Sequence, residues 1–436
     1  MNRPNILLIM VDQMKADVLS AYGNPHIHTP ALDGLVDRGA NFRDAYCVQP
    51  ICVPSRASMM TGTLPHDNGV VLNGAKGDGL RDKLWLGALM RDAGYEPAYF
   101  GKWHIPIPTE ETALHGFERM AHVGNNRIDD EVAASACAFL AEEHRDPFFL
   151  VASFNNPHNI CEWARGDPLP DGPIPEPPNI EACPPLPGNA EASPAEPGFV
   201  RTFHAKYPRV FPTTDWDDDQ WRCYLWAYYR LIEKVDARIG DVLDALERSS
   251  HRDLTLVVFV SDHGDGAGAH RWNQKSVLFE EAVAVPLILC PPGRASGTRT
   301  DHSVLVSTGL DLLPTLCDYA GVAVDGSRAL GRSLRPLLEG DAAWRDHLVV
   351  EMELGVRDQP YGVRGRALRV DRYKYVAYHK DSGERIEQLF DLAQDPGEMA
   401  DLSADPAFAD ALASCRLKLQ TWCEVYNDDF CGETFA

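Results

Sequence analysis

Residues 50–62, Pro50-Ile-Cys-Val-Pro-Ser-Arg-Ala-Ser-Met-Met-Thr-Gly62, form the stretch around which the chain is organised. Cys52 stands just before a proline-stiffened turn, and Arg56 follows it by four residues. The segment can start a helix from Ser55 onward, so we expect Cys52 near a helix N-terminus. The helix dipole and a nearby guanidinium favour negative charge there and lower the pKa of a thiol. The alternative is an inert buried thiol, because free cysteine is among the most buried residue types.

Four apolar runs elsewhere in the chain end at polar or ionisable residues. Each run has the composition of a strand that is buried in an α/β sheet. The runs and the residues after them are Asn5–Val11 with Asp12 and Gln13, Glu96–Phe100 with Lys102 and His104, Phe148–Ser153 with Asn155 to His158, and Leu254–Val260 with Asp262, His263 and Asp265. Because ligands gather at the carboxyl ends of such strands, we expect a site at this edge of the sheet. Taken singly, each of these polar residues could instead have a purely structural role, such as capping a helix or lying in a solvated turn.

The remaining periodicity divides the chain into two predicted domains. Residues 1–345 form a large α/β domain, with helices expected at 80–93, about 129–143, 218–247 and near 310–320. Residues 346–436 form a smaller α+β subdomain, an antiparallel sheet covered by a helix. Its predicted elements are strands at His347–Met352, Val363–Val370, Tyr373–Tyr378 and Glu387–Phe390 and a helix at roughly 405–425.

A proline-rich segment interrupts the large domain. Between Pro157 and Pro212 lie 14 of the 32 prolines. Such a stretch is not expected to form regular core structure, so we predict an insertion over the surface at about 160–215. An active-site lid and solvent-exposed padding are both compatible with this composition.

Charge and cysteine usage narrow the function classes. The 436 residues carry a formal net charge of -23, which argues against nucleic acid and anionic membranes as partners. Eleven cysteines without a regular framework favour a reducing compartment. The N-terminus runs directly into the first apolar strand, and we expect no signal peptide and a cytoplasmic location. The sequence leaves open whether the protein forms a homo-oligomer.

The segment Cys52-Val-Pro-Ser-Arg-Ala-Ser58, followed by Thr61-Gly62, resembles the signature of the type I sulfatases, which belong to the alkaline phosphatase superfamily. The segment Gly101-Lys-Trp-His104 and residues 369–375 with 389–398 also resemble that family, so the resemblance covers nearly the whole chain. It implies an alkaline-phosphatase-like fold, with a central mixed, largely parallel sheet flanked by helices and a smaller C-terminal α+β subdomain. It also implies that a formylglycine-generating enzyme oxidises Cys52 to formylglycine, an aldehyde whose hydrate is the nucleophile.

The resemblance further implies a divalent metal beside Cys52. Its expected ligands are the side chain at position 52, the pair Asp12 and Gln13 on the first strand and the pair Asp262 and His263 on the later one. Gln13 offers an oxygen without a charge, whereas many sulfatases have a second Asp at this place. Calcium is the first choice by family, and manganese is the alternative because His263 adds a nitrogen ligand. Asp265 is expected to cap its loop, with metal ligation as the alternative.

The expected catalytic roles follow from the same resemblance. Arg56, Lys102 and Lys275 would neutralise the sulfate oxygens and the aldehyde hydrate. His158 or Lys275 would protonate the leaving oxygen, and His104 would deprotonate the second hydroxyl so that sulfate is expelled. Lys102, His158 and Lys275 would also bind the substrate, and His270 and Arg271 are weaker candidates for contacting its organic part.

Three functions are compatible with these residues. The first is a sulfuric ester hydrolase acting on a sulfated small molecule or saccharide. The second is a phosphonate monoester or phosphodiester hydrolase of the same superfamily, which the Asp262-His263 pair also resembles. The third is a non-catalytic binder of sulfated ligands in which Cys52 stays a thiol.

Overall fold

The four apolar runs form neighbouring strands at the centre of an eight-stranded sheet. The structure, a computed structural model, describes residues 3–124, 128–340 and 343–432. The strands are β1 (Asn5–Asp12), β2 (Ala40–Phe42), β3 (Ala45–Tyr46), β4 (Glu96–Gly101), β5 (Arg119–Ala121), β6 (Phe148–Pro157), β7 (Thr255–Ser261), β8 (Leu287–Cys290), β9 (Thr300–His302), β10 (Val306–Ser307), β11 (His347–Val356), β12 (Gln359–Val370), β13 (Tyr373–Lys380) and β14 (Arg385–Asp391).

The helices surround this sheet and cover the C-terminal one. They are α1 (Pro30–Arg38), α2 (Cys52–Thr61), α3 (Pro65–Asn68), α4 (Leu86–Asp92), α5 (Thr112–His115), α6 (Asp129–Leu140), α7 (Ile160–Arg165), α8 (Gly198–Lys206), α9 (Asp218–Arg248), α10 (Glu280–Val283), α11 (Thr308–Ala320), α12 (Arg335–Glu339) and α13 (Ala409–Tyr426). No helix within the described ranges has the length and apolar composition needed to cross a bilayer.

The strand order of the large sheet is β5-β4-β6-β1-β7-β8-β2-β9. The five strands from β5 to β7 are parallel, so the four predicted runs end at the same edge of the sheet. Strand β8 is antiparallel to its neighbours β7 and β2, while β9 is parallel to β2. The predicted mixed, largely parallel sheet is therefore confirmed.

Each face of the large sheet is covered by helices. Helices α1, α6 and α9 lie on one face, and α2, α4 and α11 lie on the other. The close approach of α11 to α2 depends on Gly309, because a Cβ atom there would lie 2.6 Å from a methyl group of Val48 and 3.0 Å from Ser58 Cβ. Both faces of the central strands are consequently shielded from water, as the continuous apolar runs predicted.

Strands β11 to β14 form the predicted antiparallel C-terminal sheet. One face joins the core beside α2, and the other packs beneath α13 through residues such as Leu368 and Trp422. The predicted subdomain architecture is confirmed, while the boundary at 345/346 stays a prediction.

Two predictions of local structure were wrong. The helix expected over 80–93 is shortened to α4, because residues 78–80 form a separate 3-10 turn and Trp85 is extended. The proline-rich segment contains α7 and α8, and Phe199 and Phe203 of α8 are buried. These rings pack edge to face on Tyr378 and Tyr361 of the C-terminal sheet, which explains why part of this segment is ordered core.

His66 of α3 connects the large domain to the C-terminal subdomain. Its Nδ1 lies 2.7 Å from Glu351 Oε1 of β11, and its Nε2 lies 3.0 Å from the carbonyl oxygen of Tyr426 in α13. Burial lowers the pKa of His66, but the hydrogen bond and charge of Glu351 outweigh burial and raise this pKa to about 9. The imidazolium is thus part of the native packing.

We expect His66→Gln to lower stability more in mild acid than in base. Because the folded-state pKa is raised, the stabilisation is complete below the unfolded-state value of about 6.5 and is lost as pH rises through about 9. Urea unfolding should show a loss on the order of 2 kcal/mol at about pH 6 and a much smaller one at about pH 10. Equal losses at the two pH values would contradict this assignment.

Candidate active site

Helix α2 brings Cys52 to the carboxyl edge of the large sheet. The helix begins at Cys52, and all ten of its residues are buried. The side chain of the preceding residue, Ile51, does not cap this helix. Instead, the backbone amide of Val53 donates to Asn73 Oδ1 at 3.1 Å. The thiol therefore lies at a helix N-terminus, as the sequence predicted.

Arg56 lies one turn further along α2 and contacts the ends of four neighbouring strands. Its Nε donates to Asp262 Oδ2 at 2.7 Å, and one Nη2 hydrogen bond reaches Asp12 Oδ2 at 3.1 Å. Its Nη1 donates to the carbonyl oxygen of Lys102 and to Ser153 Oγ, each at 2.9 Å. The guanidinium is completely buried, so these contacts with the protein replace water.

One lysine contacts the thiol and a second contacts the carboxylate beside it. Lys275 Nζ lies 2.9 Å from Cys52 Sγ and 2.8 Å from Gln13 Oε1. Lys102 Nζ lies 2.6 Å from Asp12 Oδ2. Burial and Asp12 raise the pKa of the Cys52 thiol, but Lys275 and Lys102 outweigh them, and this pKa lies well below its usual range. The pocket therefore stabilises negative charge on side chain 52.

Four of the predicted metal ligands form one compact group. Single ligand atoms of Asp12, Cys52, Asp262 and His263 lie within 4.8 Å of one another. His263 Nδ1 lies 2.9 Å from the carbonyl oxygen of Gly264, so the neutral form of the ring, which a metal requires, would carry its proton there and direct Nε2 toward Cys52 Sγ at 3.2 Å. A metal-binding histidine has this arrangement, with its second nitrogen held by a carbonyl group.

The electrostatics of the two carboxylates also fit a cation. Burial raises the pKa of Asp12, but Lys102 and Lys275 outweigh burial and hold it well below its usual range. Burial and the neighbouring Asp12 raise the pKa of Asp262 to about 6. A divalent ion between the two aspartates would favour the ionised form of both, so the donor set is compatible with a metal.

Gln13, the fifth predicted ligand, lies beside this group. Its backbone amide donates to Asp262 Oδ1 at 3.1 Å, and its backbone has a positive φ of 74°. The side-chain Oε1 accepts from Lys275, and Nε2 donates to Asp265 Oδ2 at 2.7 Å. Asp265 also accepts from the amide of Ala267, which is the loop cap that the sequence predicted.

The two predicted catalytic histidines flank the cluster. Burial lowers the pKa of His104 despite its hydrogen bond to Cys52, so this ring is neutral at neutral pH and can accept a proton. Burial, Lys102 and Lys275 hold the pKa of His158 well below its usual range. The side chain of His158 is 24% exposed, in contrast to the buried groups around it, so it faces the solvent side of the site.

His270 and Arg271 have contacts away from this cluster. His270 is buried and stacks on Phe279, and Arg271 pairs with Glu191 and Asp218 near the surface. The structure assigns neither residue a contact with Cys52 or its partners within the described ranges. A substrate contact by either residue stays a prediction.

His270 belongs instead to a second group of potential ligands. Its ring nitrogen and one oxygen each of Glu281 and Glu398 lie within 4.8 Å of one another. The ammonium of Lys374 already lies 2.7 Å from Glu398 Oε1 and 3.0 Å from Glu280 Oε1. A cation of the protein itself therefore already pairs with Glu398, one of the two carboxylates of this group.

The sequence analysis missed three groups that complete the site. Ser153 binds Arg56 and the carbonyl oxygen of Lys102, and its only signal is a hydroxyl at the end of an apolar run. Cys161 lies 3.4 Å from Gln13 Nε2, and Tyr224 of α9 donates to Asp265. Neither of these two carries a local signal, since both are spaced like ordinary core residues.

Comparison with known proteins agrees with this site and fold. The sulfatase family matches residues 4–322, and the family described as N-sulphoglucosamine sulphohydrolase, C-terminal, matches residues 268–424. A Delta 4,5-hexuronate-2-O-sulfatase from Bacteroides thetaiotaomicron is 32% identical over an alignment of 451 positions, which covers 98% of this chain and 90% of that protein.

Solved structures give the same result. A sulfatase structure from Bacteroides thetaiotaomicron superposes with a TM-score of 0.85 at 30% identity and covers 99% of this chain and 95% of that one. The phosphonate monoester hydrolase of Agrobacterium radiobacter has a TM-score of 0.77 at 24% identity, with 97% and 96% covered, and shows the shared fold. The match over most of the chain therefore shows that this protein is an enzyme of the sulfatase family with an alkaline phosphatase-like fold.

Proposed function

We propose that the protein hydrolyses a sulfate ester of a saccharide, with formylglycine at position 52 and a calcium ion beside it. The observation that carries this proposal is the environment of Cys52 Sγ, which lies 2.9 Å from Lys275 Nζ and 3.2 Å from His263 Nε2 at a helix N-terminus. The relative named for a hexuronate 2-O-sulfate supports a saccharide substrate.

The charges of the site favour an anionic substrate. Arg56, Lys102 and Lys275 bring three positive charges, whereas Asp12, Asp262 and Asp265 bring three negative ones. A bound divalent cation would make the balance positive and polarise a sulfate oxygen. The ammonium groups beside residue 52 and this cation together favour a sulfate group and the negative charge that develops during its transfer.

We assign each side chain a role from its position. Lys102 and Lys275 bind the sulfate oxygens, since their ammonium groups lie nearest to the thiol and its carboxylate neighbour. Arg56 positions Asp12 and Asp262, because Nε, Nη1 and Nη2 each already bind the protein. The sequence analysis gave Arg56 a share in neutralising the sulfate oxygens and the aldehyde hydrate, and its position adds this role toward the two carboxylates.

Lys275 and the two histidines lie where the proton transfers of the reaction take place. A hydrated formylglycine supplies two hydroxyls, one for attack on sulfur and one for releasing sulfate, which a serine or cysteine lacks. Of the two predicted acids, Lys275 protonates the leaving oxygen, since its raised pKa keeps it a cation. His158 is neutral because its pKa is held well below the usual range, and its solvent-facing side suits contact with that part of the substrate. His104 is neutral and accepts the proton of the second hydroxyl.

The state of residue 52 tests the nucleophile. In protein from its native host, or made together with a formylglycine-generating enzyme, we expect mass spectrometry to find an aldehyde at position 52. A Cys52→Ser variant lacks the second hydroxyl, so it should retain a sulfate ester on Ser and lose turnover by about 1000-fold or more. Cys52→Ala is the control that can carry no sulfate. An unmodified thiol in active native protein would contradict the proposal, and in inactive protein it would favour the binder.

A second candidate function is hydrolysis of phosphonate monoesters or phosphodiesters. The Asp262-His263 pair favours it, and such an enzyme shares the fold. Sulfate monoesters and phosphate diesters each carry one negative charge, so the cationic cluster alone does not separate them.

Parallel assays decide between the two substrates. We expect kcat/KM to be higher for sulfated saccharides, choline sulfate or aryl sulfates than for an aryl phosphodiester or a phosphonate monoester. The comparison needs one preparation with a measured aldehyde content at residue 52. A higher kcat/KM for the phosphorus substrates would reverse the order of the two functions.

A further inference from the structure

Gln13 has a hydrogen-bond environment that fixes the direction of its side-chain amide. The side chain is completely buried between the metal-ligand group and Asp265. Its Nε2 donates to Asp265 Oδ2 at 2.7 Å, while its Oε1 accepts from Lys275 Nζ at 2.8 Å. Reversing the amide would set its NH2 group against the ammonium of Lys275 and its oxygen against the carboxylate, so only one orientation is satisfied.

Asp265 is itself held by donors on every side. Tyr224 Oη lies 3.0 and 3.1 Å from its two oxygens, and the amide of Ala267 donates to Oδ1 at 2.7 Å. Together with Gln13 Nε2, these groups are all donors, which is the environment of an ionised carboxylate. Tyr224 is completely buried in α9, so a long helix supports the position of this loop residue.

The backbone of Gln13 is fixed from the same helix. Tyr228, one turn after Tyr224, donates its hydroxyl to the carbonyl oxygen of Gln13 at 2.7 Å. The backbone amide of Gln13 is held by Asp262. Main chain and side chain are thus positioned independently, and Asp265 acts on the side chain alone.

We propose that Asp265, supported by Tyr224, is a positioning residue that directs Gln13 Oε1 toward the metal and Lys275. This inference rests on the metal site of the proposed function. A Glu in place of Gln13 would put two carboxylates in contact in the native chain. Gln13 is a neutral ligand, and the negative charge lies instead on Asp265. The carboxylate of Asp265 accepts from Gln13 Nε2 and so orients Gln13 Oε1.

Calcium affinity tests the role of Asp265. In Asp265→Asn one oxygen becomes an NH2 group, which opposes either Gln13 Nε2 or the amide of Ala267. We expect the dissociation constant for Ca²⁺, measured by calorimetry on metal-stripped protein, to rise about 10-fold to 100-fold. Asp236→Asn is the matched control, because this buried carboxylate of α9 accepts hydrogen bonds from backbone amides of α1, away from the metal-ligand group, and should leave Ca²⁺ affinity unchanged.

A double variant separates positioning from loop capping. In Gln13→Glu/Asp265→Asn, a Glu oxygen accepts from the Asn NH2, so we expect the Ca²⁺ dissociation constant to return to within about threefold of the native value. If Asp265 only capped the loop through Ala267, the effects of the two substitutions on Ca²⁺ affinity would add, so the single variant Gln13→Glu completes the comparison. Melting of the metal-free variants shows whether each is folded.

The outcomes distinguish this inference from the function on which it rests. Native Ca²⁺ binding with an unchanged affinity in Asp265→Asn, or a double variant as weak as Asp265→Asn, would overturn the positioning role alone. If the native chain bound neither Ca²⁺ nor Mn²⁺, the metal site of the proposed function would fall, and this role with it.

Discussion

The guanidinium of Arg56 joins the ends of four neighbouring strands, and the rest of the site depends on this set of contacts. It binds Asp12 at the end of β1, Asp262 just past β7, a serine within β6 and the carbonyl oxygen of Lys102 just past β4. A buried charge is costly unless it is paired and hydrogen-bonded. Here each partner comes from a different strand, so satisfying Arg56 also sets the spacing of the carboxylates beside Cys52.

The same constraint explains how one short helix organises a domain of parallel strands. Cys52 and Arg56 are one turn apart on α2, so fixing the guanidinium among the strand ends also fixes the thiol. The lysines then approach from two further segments and bring two ammonium groups next to the thiol and its carboxylate neighbour. An environment built in this way favours anions at residue 52 before any substrate arrives.

The sequence predicted the strands and their polar ends because both depend on local composition. Long apolar runs have few alternatives to a buried parallel strand, and the side chains that follow them must meet at one edge. The sequence placed Arg56 and Asp262 in one site, but the individual hydrogen bonds of Arg56 were not predictable, since Ser153 and Asp262 lie 97 and 206 residues away from it. The burial of α8 was missed for the same reason, because its aromatic partners belong to the C-terminal sheet. Position 271 carries an arginine whose surface pairs with Glu191 and Asp218 depend on the path of two distant segments.

A crystal structure of the mature protein with calcium and inorganic sulfate most directly tests whether these distant residues converge on side chain 52 and a cation. We expect calcium within about 2.3–2.6 Å of oxygens of Asp12, Asp262 and Gln13, with the sulfate between Lys102 and Lys275. Calcium and sulfate bound elsewhere, with both aspartates held by Arg56 and Lys102 alone, would contradict the proposed site.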